Sequence, residues 1–172
     1  MRLIATQIVL AALLSSASVV GSASAQGTFK DVGGEQMGII PKGDPLMAEA
    51  MRKARATLPQ FLDLVRTPRA SVAGMGVKIG IPYGRDGVEY FWIMDLSIRD
   101  GKITGRLSNA PRFAKNVRAG EMLRFTEGDV VDWLYREDGK MKGNYTSCAL
   151  IAREPKDQRD ALVKRFGVDC EF

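Results

Sequence analysis

The sequence predicts an α+β fold, in which an N-terminal helix packs on a curved antiparallel sheet and a short C-terminal helix follows. Apolar residues recur at steps of three and four through residues 47–65, which is the spacing of a helix with one buried face. From residue 72 the period changes to two, and turns containing glycine separate the apolar runs, as in antiparallel hairpins. Because sequential hairpins favour a meander covered by a helix, we expect an open meander or a half-open barrel.

The first helix begins at an Asp-Pro pair. Asp44 is a good N-cap, and Pro45 suits the first helical position, where its missing N–H costs nothing. Pro59 lies inside the apolar stripe and is expected to kink or restart the helix. Since the stripe keeps its phase across Pro59, we expect both halves to pack on the same surface. The stripe consists of Met47, Ala50, Met51, Ala54, Leu58, Phe61, Leu62 and Val65.

Four strands and a last helix are predicted after the first helix. The first strand alternates Val77, Ile79 and Ile81 with Lys78 and Gly80 and ends at Pro82. Strands follow at residues 88–98, 103–107 and 122–125, the first two joined by an Arg-Asp-Gly-Lys turn. A Pro and an Asp open a short helix over residues 155–166, whose apolar side contains Ala161, Leu162, Val163 and Phe166.

A further hairpin is predicted in the segment WLYREDGKMKGNY, residues 133–145. A two-residue loop at residues 138–139 would mix apolar and charged side chains on both faces. A three-residue loop at residues 137–139 places Trp133 opposite Gly143 and makes one face wholly apolar, with the glycine leaving room for the indole. Because a sheet with one buried face requires such separation, we predict the three-residue loop.

This register has consequences for the opposite, outer face of the hairpin. Asp132 becomes the cross-strand neighbour of Asn144, with Cys148 further along the same strand. The pair can simply hold the register through a hydrogen bond, or it can form a polar recognition spot. We therefore treat Asp132 and Asn144, together with Arg106, as candidate binding residues.

The first 25 residues have the pattern of an export signal. Arg2 precedes an apolar stretch at residues 3–14, and Ala23-Ser24-Ala25 matches a cleavage pattern. A membrane anchor is the alternative, but the strongly apolar part is shorter than the roughly 20 residues that span a bilayer. We expect a signal peptide at residues 1–25, a flexible glycine-rich lead-in at 26–43 with a short strand near 37–40, and a single domain at 44–172. The expected location is periplasmic or secreted.

The two cysteines, Cys148 and Cys170, both lie in the exported part. An oxidising compartment favours pairing them in a disulfide. Cys148 could instead be a nucleophile, but the chain contains no histidine, the usual base for such a thiol. The sequence predicts no catalytic residues, no cofactor and no metal site. Glu127, Asp129 and Asp132 look like a carboxylate cluster, but residues three apart on a strand point to opposite faces.

Charge indicates the kind of partner. Loss of Arg2 with the signal leaves 24 basic and 20 acidic residues, a net charge of +4. Residues 99–124 are rich in Arg and Lys, which form either a basic patch or an ordinary solvated face. An exported basic protein fits an envelope protein or an anionic envelope component better than nucleic acid. Trp92 and Phe91 alternate on one strand, so an exposed one would indicate recognition.

Several ordered stretches resemble a known family. They are DPLMAEAMRKARATLPQF, VKIGIPY with GVEYFWIMDL, GKITGRLSNAP, AGEMLRFTEGDVVDWLY and GKMKGNYTSCAL, and together they cover roughly residues 44–165. They resemble the YegJ-like family, a bacterial domain of unknown function (2314). The resemblance implies a single bacterial domain, sometimes exported, with no established activity. The paired cysteines are not part of that pattern, which fits an added disulfide in an exported member.

Two functions are consistent with these observations. The first is a non-enzymatic binding or protein-interaction domain in the periplasm, after cleavage not an integral membrane protein. The second is an enzyme that works without histidine, through Cys148 or a carboxylate.

Overall fold

The computed structural model describes residues 29–32, 35–38 and 43–170. The predicted export signal and its cleavage site lie outside these residues. The lead-in contributes a two-stranded hairpin of Phe29–Val32 and Glu35–Gly38, whose second strand begins two residues before the strand expected near residues 37–40. In the described part of the chain, no helix is long and apolar enough to cross a membrane. The elements are β1 Phe29–Val32, β2 Glu35–Gly38, α1 Pro45–Arg66, β3 Val72–Tyr83, β4 Gly87–Arg99, β5 Lys102–Leu107, β6 Met122–Phe125, β7 Val130–Glu137, β8 Lys140–Gly143, α2 Tyr145–Ile151 and α3 Lys156–Phe166.

The main sheet has six antiparallel strands in the order β6-β5-β4-β3-β7-β8. Strands β3 to β6 form the predicted meander of consecutive hairpins. The chain then returns to the other side of the meander, where β7 pairs with the free edge of β3. The sheet therefore stays open, and the α+β prediction is confirmed.

Helix α1 covers one face of this sheet. Asp44 Oδ1 accepts from the backbone N–H of Met47 at 2.9 Å, and Pro45 takes the first helical position, as predicted. The helix runs as one element through Pro59. Its predicted stripe is buried on both sides of Pro59, at Ala50, Ala54, Leu58, Phe61 and Leu62.

Alternation along the strands gives the sheet an inner face toward α1 and an outer face away from it. Val77 and Ile79 of β3 and Phe91 and Ile93 of β4 are buried in the core beneath α1. The outer face of these strands carries Lys78, Tyr90, Trp92 and Met94. A bulge at Asp95, whose φ is 53°, reverses this alternation near the end of β4. Beyond it, Leu96 and Ile98 pack against the core.

The predicted register of the last hairpin is wrong. Glu137 pairs with Lys140 and Leu134 pairs with Gly143, so the loop has two residues rather than three. Asp138 and Gly139 both have positive φ, at 49° and 77°, as a type I′ turn requires. The requirement for one apolar face did not decide the register, because β8 is only four residues long and the turn sets the pairing.

The segment after Gly143 is also not a strand. Gly143 and Asn144 both adopt positive φ, and helix α2 begins at the next residue. Asp132 and Asn144 are therefore not cross-strand neighbours, and Cys148 lies on a helix.

The C-terminal segment covers the free edge of β8. The N–H of Met141 donates to the carbonyl of Gly167 at 3.1 Å, and Met141 forms a parallel bridge with Val168. A disulfide joins Cys148 of α2 to Cys170 of this segment, the pairing that the sequence predicts. The half-buried Arg153 after α2 forms an ion pair with Asp44, which ties the C-terminal part to the start of α1.

Gly143 lies against Trp133, although its cross-strand partner is Leu134. A β-carbon on Gly143 would lie 2.2 Å from the Trp133 carbonyl oxygen and 2.5 Å from the indole ring. The expectation that this glycine leaves room for the indole is therefore confirmed in a different register. Gly143 also has a φ of 74°, so both sterics and backbone conformation require glycine here.

Gly139 provides a matched comparison for a stability prediction. It has a similar φ of 77°, but a β-carbon there would meet nothing within 4 Å. We expect Gly139→Ala to lower the free energy of unfolding by about 1 kcal/mol through backbone strain alone. Gly143→Ala should cost a further 1–3 kcal/mol, roughly, through overpacking against Trp133. Urea unfolding of both variants measures the difference, and equal losses would contradict the close approach.

Candidate functional site

Asp132, one of the predicted binding residues, is completely buried on the outer face of β7. Its Oδ1 accepts from the backbone N–H groups of Trp133 at 2.9 Å and Tyr145 at 3.2 Å. Its Oδ2 accepts from the N–H and the hydroxyl of Thr146 at 2.8 and 2.6 Å. These bonds satisfy free N–H groups in the first turn of α2. Asp132 therefore fixes the start of α2 on the sheet and is not available to an external ligand.

Lys78 supplies the counter-charge from the neighbouring strand, where it pairs with Asp132 in the sheet. Its ammonium donates to Thr146 Oγ1 at 2.6 Å and lies 4.5 Å from the centre of the Trp92 ring. Burial raises the pKa of Asp132, while the Lys78 charge and the donors on Thr146 and Trp133 oppose the shift. Burial lowers the pKa of Lys78, opposed by the charge of Asp132. Each charge therefore depends on the other to remain in this environment.

Asn144 lies next to this network and shapes the turn into α2. It is 6 % exposed and left-handed, with a φ of 56°. Its backbone carbonyl accepts from the N–H groups of Ser147 and Cys148. The structure therefore brings Asp132 and Asn144 together at the start of α2, in a buried position rather than on a surface.

Arg106, the third predicted binding residue, is exposed and stands apart from the other two. It lies on β5, three strands from β7 in the sheet order. Its guanidinium contacts Asp95 Oδ2 at 3.0 Å and the Gly120 carbonyl at 3.1 Å. Its cross-strand partners are Met94 on β4 and Met122 on β6, which places it in the middle of the outer face.

Arg106 belongs to a mixed apolar and basic surface that no described element covers. We call it the outer patch, and it consists of Tyr90, Trp92, Met94, Met122, Arg106 and Arg124. Tyr90 is 46 % exposed and Met122 is 53 % exposed, while Trp92 is half-buried. Phe91 is buried on the inner face, so the exposed aromatics of β4 are on the outer side. Of the predicted basic residues at 99–124, Arg106 and Arg124 lie here, and Arg112, Lys115 and Arg118 lie in the loop between β5 and β6.

A cleft of about 590 Å³ opens on the other side of β7, beside the C-terminal half of α1. Its floor is aromatic, because Phe61, Trp133 and Tyr135 lie with ring centres 5.2–6.3 Å apart and planes within 22°. Tyr145 meets Trp133 edge-on at 5.6 Å and forms one wall. Thr57, Gln60, Asp63 and Arg69 supply polar groups at the sides. We call this the aromatic cleft.

Sequence patterns predicted parts of this cleft but not the cleft itself. Phe61 belongs to the predicted helical stripe, and Trp133 and Tyr135 belong to the predicted hairpin segment. The prediction also places Tyr145 on a strand of this hairpin, whereas Tyr145 is the first residue of α2 and lies toward α1.

The described residues contain no group of three or more side chains suited to a metal ion. The carboxylate of Asp129 instead accepts from the N–H and hydroxyl of Thr126, at 2.8 and 2.7 Å, and so caps a short 3₁₀ turn. Glu127, Asp129 and Asp132 do not converge.

Removal of the Asp132 carboxylate should destabilise the fold strongly. Asp132→Ala leaves Lys78 without its counter-charge and the N–H groups of Tyr145 and Thr146 without their acceptor. We expect a loss of about 3–5 kcal/mol in the free energy of unfolding, measured by urea titration. Adding Lys78→Met should recover part of the loss, since it removes the unpaired charge.

Asp86→Ala in an exposed turn serves as control and should change stability by less than about 0.5 kcal/mol. A loss below about 1 kcal/mol for Asp132→Ala would contradict the anchoring role.

Comparison with known proteins places this fold in a family. A family model described as "Uncharacterized protein conserved in bacteria (DUF2314)" matches residues 44–170. The uncharacterized protein YegJ of Escherichia coli (strain K12) is 29 % identical over 116 residues, which cover 67 % of this chain and 74 % of that protein. A "Putative ankyrin repeat protein" of Neisseria meningitidis serogroup B is 25 % identical over 137 residues, 76 % of this chain.

This chain spans about half the length of the Neisseria relative, 54 % of that protein. No solved structure matches the chain significantly. The family match covers α1, the whole six-stranded sheet and both C-terminal helices. The chain therefore belongs to the DUF2314 family of bacterial proteins, as its YegJ-like sequence stretches imply.

Proposed function

We propose that this protein is an exported, non-enzymatic binding domain whose outer patch docks on an anionic lipid surface of the bacterial envelope. The observation that carries the proposal is the outer patch itself, a sheet face that combines exposed Tyr90 and Met122 and half-buried Trp92 and Met94 with two arginines.

The chemistry of the patch matches that of a lipid interface. Tyr and Trp have an apolar body with a polar tip and are enriched where hydrocarbon meets water. Met94 and Met122 add flexible apolar side chains beside them. Arg124 has no ion-pair partner within residues 43–170 and is free to meet an anionic headgroup. An open sheet face fits an extended surface better than a small molecule.

Charge on the whole protein supports the same partner. The exported chain has a net charge of +4, which favours approach to an anionic surface.

Export is supported by two independent features. Residues 1–25 have the pattern of a signal peptide. The disulfide between Cys148 and Cys170 is typical of proteins from oxidising compartments.

The alternative, a histidine-independent enzyme, has less support. A nucleophilic Cys148 would need a free thiolate, and its sulfur is bound to Cys170. Asp132, a carboxylate whose pKa is raised by burial, is completely buried and accepts four hydrogen bonds. Neither group can reach a substrate in this arrangement.

Vesicle binding tests the proposed docking surface. The protein should bind vesicles containing phosphatidylglycerol and not vesicles of phosphatidylcholine alone, with binding that weakens as salt is raised. Arg124→Gln should lower the partition coefficient about fivefold, which corresponds to about 1 kcal/mol for one basic residue. Tyr90→Ala should lower it through the loss of apolar contact. Co-sedimentation measures both.

Lys164→Gln is the matched control, since it removes an exposed positive charge on α3, away from the outer patch. It should leave binding nearly unchanged. Absence of binding to anionic vesicles, or equal losses from Lys164→Gln and Arg124→Gln, would overturn the proposed surface.

The disulfide should make stability depend on redox conditions. Its two cysteines are 22 residues apart, and closing a loop of that length contributes about 3 kcal/mol in the chain-entropy model. Dithiothreitol should therefore lower the free energy of unfolding by about that amount. The double variant Cys148→Ser, Cys170→Ser should show the same loss and no response to dithiothreitol. Two reactive thiols in the exported, folded protein would refute the pairing.

A further inference from the structure

We propose that the aromatic cleft is a second binding site, separate from the outer patch, and that it takes an uncharged sugar ring. The cleft lies between the C-terminal half of α1, the inner face of β7 and the first turn of α2. At about 590 Å³ it falls within the size range of small-molecule sites, about 300–1,000 Å³. The ligand class follows from its floor, its charge and its polar groups.

The floor of the cleft is a ring platform. The centres of Phe61, Trp133 and Tyr135 form a triangle with sides of 5.2, 5.7 and 6.3 Å, and the three planes are nearly parallel. Phe61 and Trp133 are almost fully buried, and half-buried Tyr135 offers the accessible part. The indole N–H donates to the Ala54 carbonyl at 3.0 Å, which holds the platform in place. The accessible part of the Tyr135 ring can stack against a ligand with a flat apolar face, as the C–H face of a pyranose provides.

Charges around the cleft are already paired within the protein. Asp63 is bound to Arg66 at 2.7 Å, and Arg69 is bound to Glu137 at 2.9 Å. The cleft therefore presents neither an unpaired cation for a carboxylate or phosphate nor an unpaired anion for an amine. Because Asp63 and Arg69 also carry opposite charges, the lining of the cleft has no net charge, which favours an uncharged ligand.

Neutral hydrogen-bonding groups surround the platform. The hydroxyls of Thr57 and Tyr145 lie 3.4 Å apart across the cleft wall, where α1 meets α2. Gln60 is exposed at the side and has no hydrogen-bond partner among residues 43–170. Hydroxyl and amide groups can both donate and accept, as sugar hydroxyls require. The Thr57 hydroxyl already donates to the Lys53 carbonyl at 2.9 Å, so toward a ligand it serves as an acceptor, whereas the Gln60 amide can both donate and accept.

Tryptophan fluorescence provides a direct test, since the chain has two tryptophans on opposite faces of the sheet. Trp92→Phe leaves Trp133 in the cleft as the reporter. We expect titration with N-acetylglucosamine, methyl β-glucoside and methyl β-galactoside to give saturable changes for at least one, with a dissociation constant of about 1 mM or tighter. Binding should not depend on salt concentration, because no charge is involved.

Variants of the cleft separate ring stacking from polar contacts. Tyr135→Ala should weaken binding about tenfold or more, and Tyr135→Phe should keep most of it. Gln60→Ala, on the exposed side of α1, should weaken binding without loss of stability. Tyr90→Ala in the outer patch is the matched control and should leave sugar binding unchanged, just as Gln60→Ala should leave vesicle binding unchanged.

Three results would overturn the proposal. They are the absence of saturable binding for all three sugars, binding that Tyr135→Ala and Gln60→Ala leave intact, and indole binding as tightly as any of the sugars. The last result would identify an apolar-ligand site instead. None of them bears on the outer patch, which is tested separately with vesicles.

Discussion

The arrangement of the C-terminal third depends on the Asp132 carboxylate. A completely buried carboxylate is costly unless its oxygens are satisfied, and here four donors and one nearby ammonium satisfy them. Two of the donors are backbone N–H groups in the first turn of α2, and a third is the hydroxyl of Thr146. Because those groups would otherwise lack partners, α2 can begin only where Asp132 places it. The position of α2 in turn sets the position of Cys148 and hence of the disulfide to Cys170.

Successive side chains of β7 point to opposite faces of the sheet, so this strand contributes residues to both faces. Asp132 points to the outer side and anchors α2, while Trp133 points to the inner side, stacks on Phe61 and bonds to the backbone of α1. Gly143 allows the chain to pass close to this indole before it turns into α2. Tyr145, the first residue of α2, then closes one wall of the aromatic cleft. The buried polar network and the cleft are therefore consequences of one strand and the turn that follows it.

Local sequence signals predicted most of the fold, and the exceptions have a shared cause. The Asp44-Pro45 start, the stripe of α1 and the Asp100-Gly101 turn depend on nearby residues, and the structure confirms them. The predicted register after Asp138-Gly139 is wrong because β8 has only four residues, so the two-residue turn sets the pairing and the separation of apolar from polar faces does not. The Gly143-Asn144 pair was a signal of left-handed backbone and of a strand end, since these are the residues that adopt positive φ most readily. The burial of Asp132 could not be predicted from a single sequence, because it depends on Lys78, which is far away in the sequence but lies on the neighbouring strand of the sheet.

The exposure of the outer patch, like the burial of Asp132, could not be predicted from local sequence signals. Period-two alternation correctly separated Phe91 from Trp92, but it could not decide which of the two faces α1 would cover. Helix α1 covers the face with the larger apolar content. The inner face is continuously apolar across the strands and includes Val77, Ile79, Phe91 and Ile93. The outer face also contains charged residues and a glycine, namely Lys78, Gly80, Arg106 and Arg124. Covering the outer face with a helix would bury Arg124 without a counter-charge and remove the Arg106–Asp95 ion pair from water, at a cost that the few apolar side chains of this face do not offset. The exposed aromatics of β4 are thus left on a basic surface by the same energetic balance that forms the core.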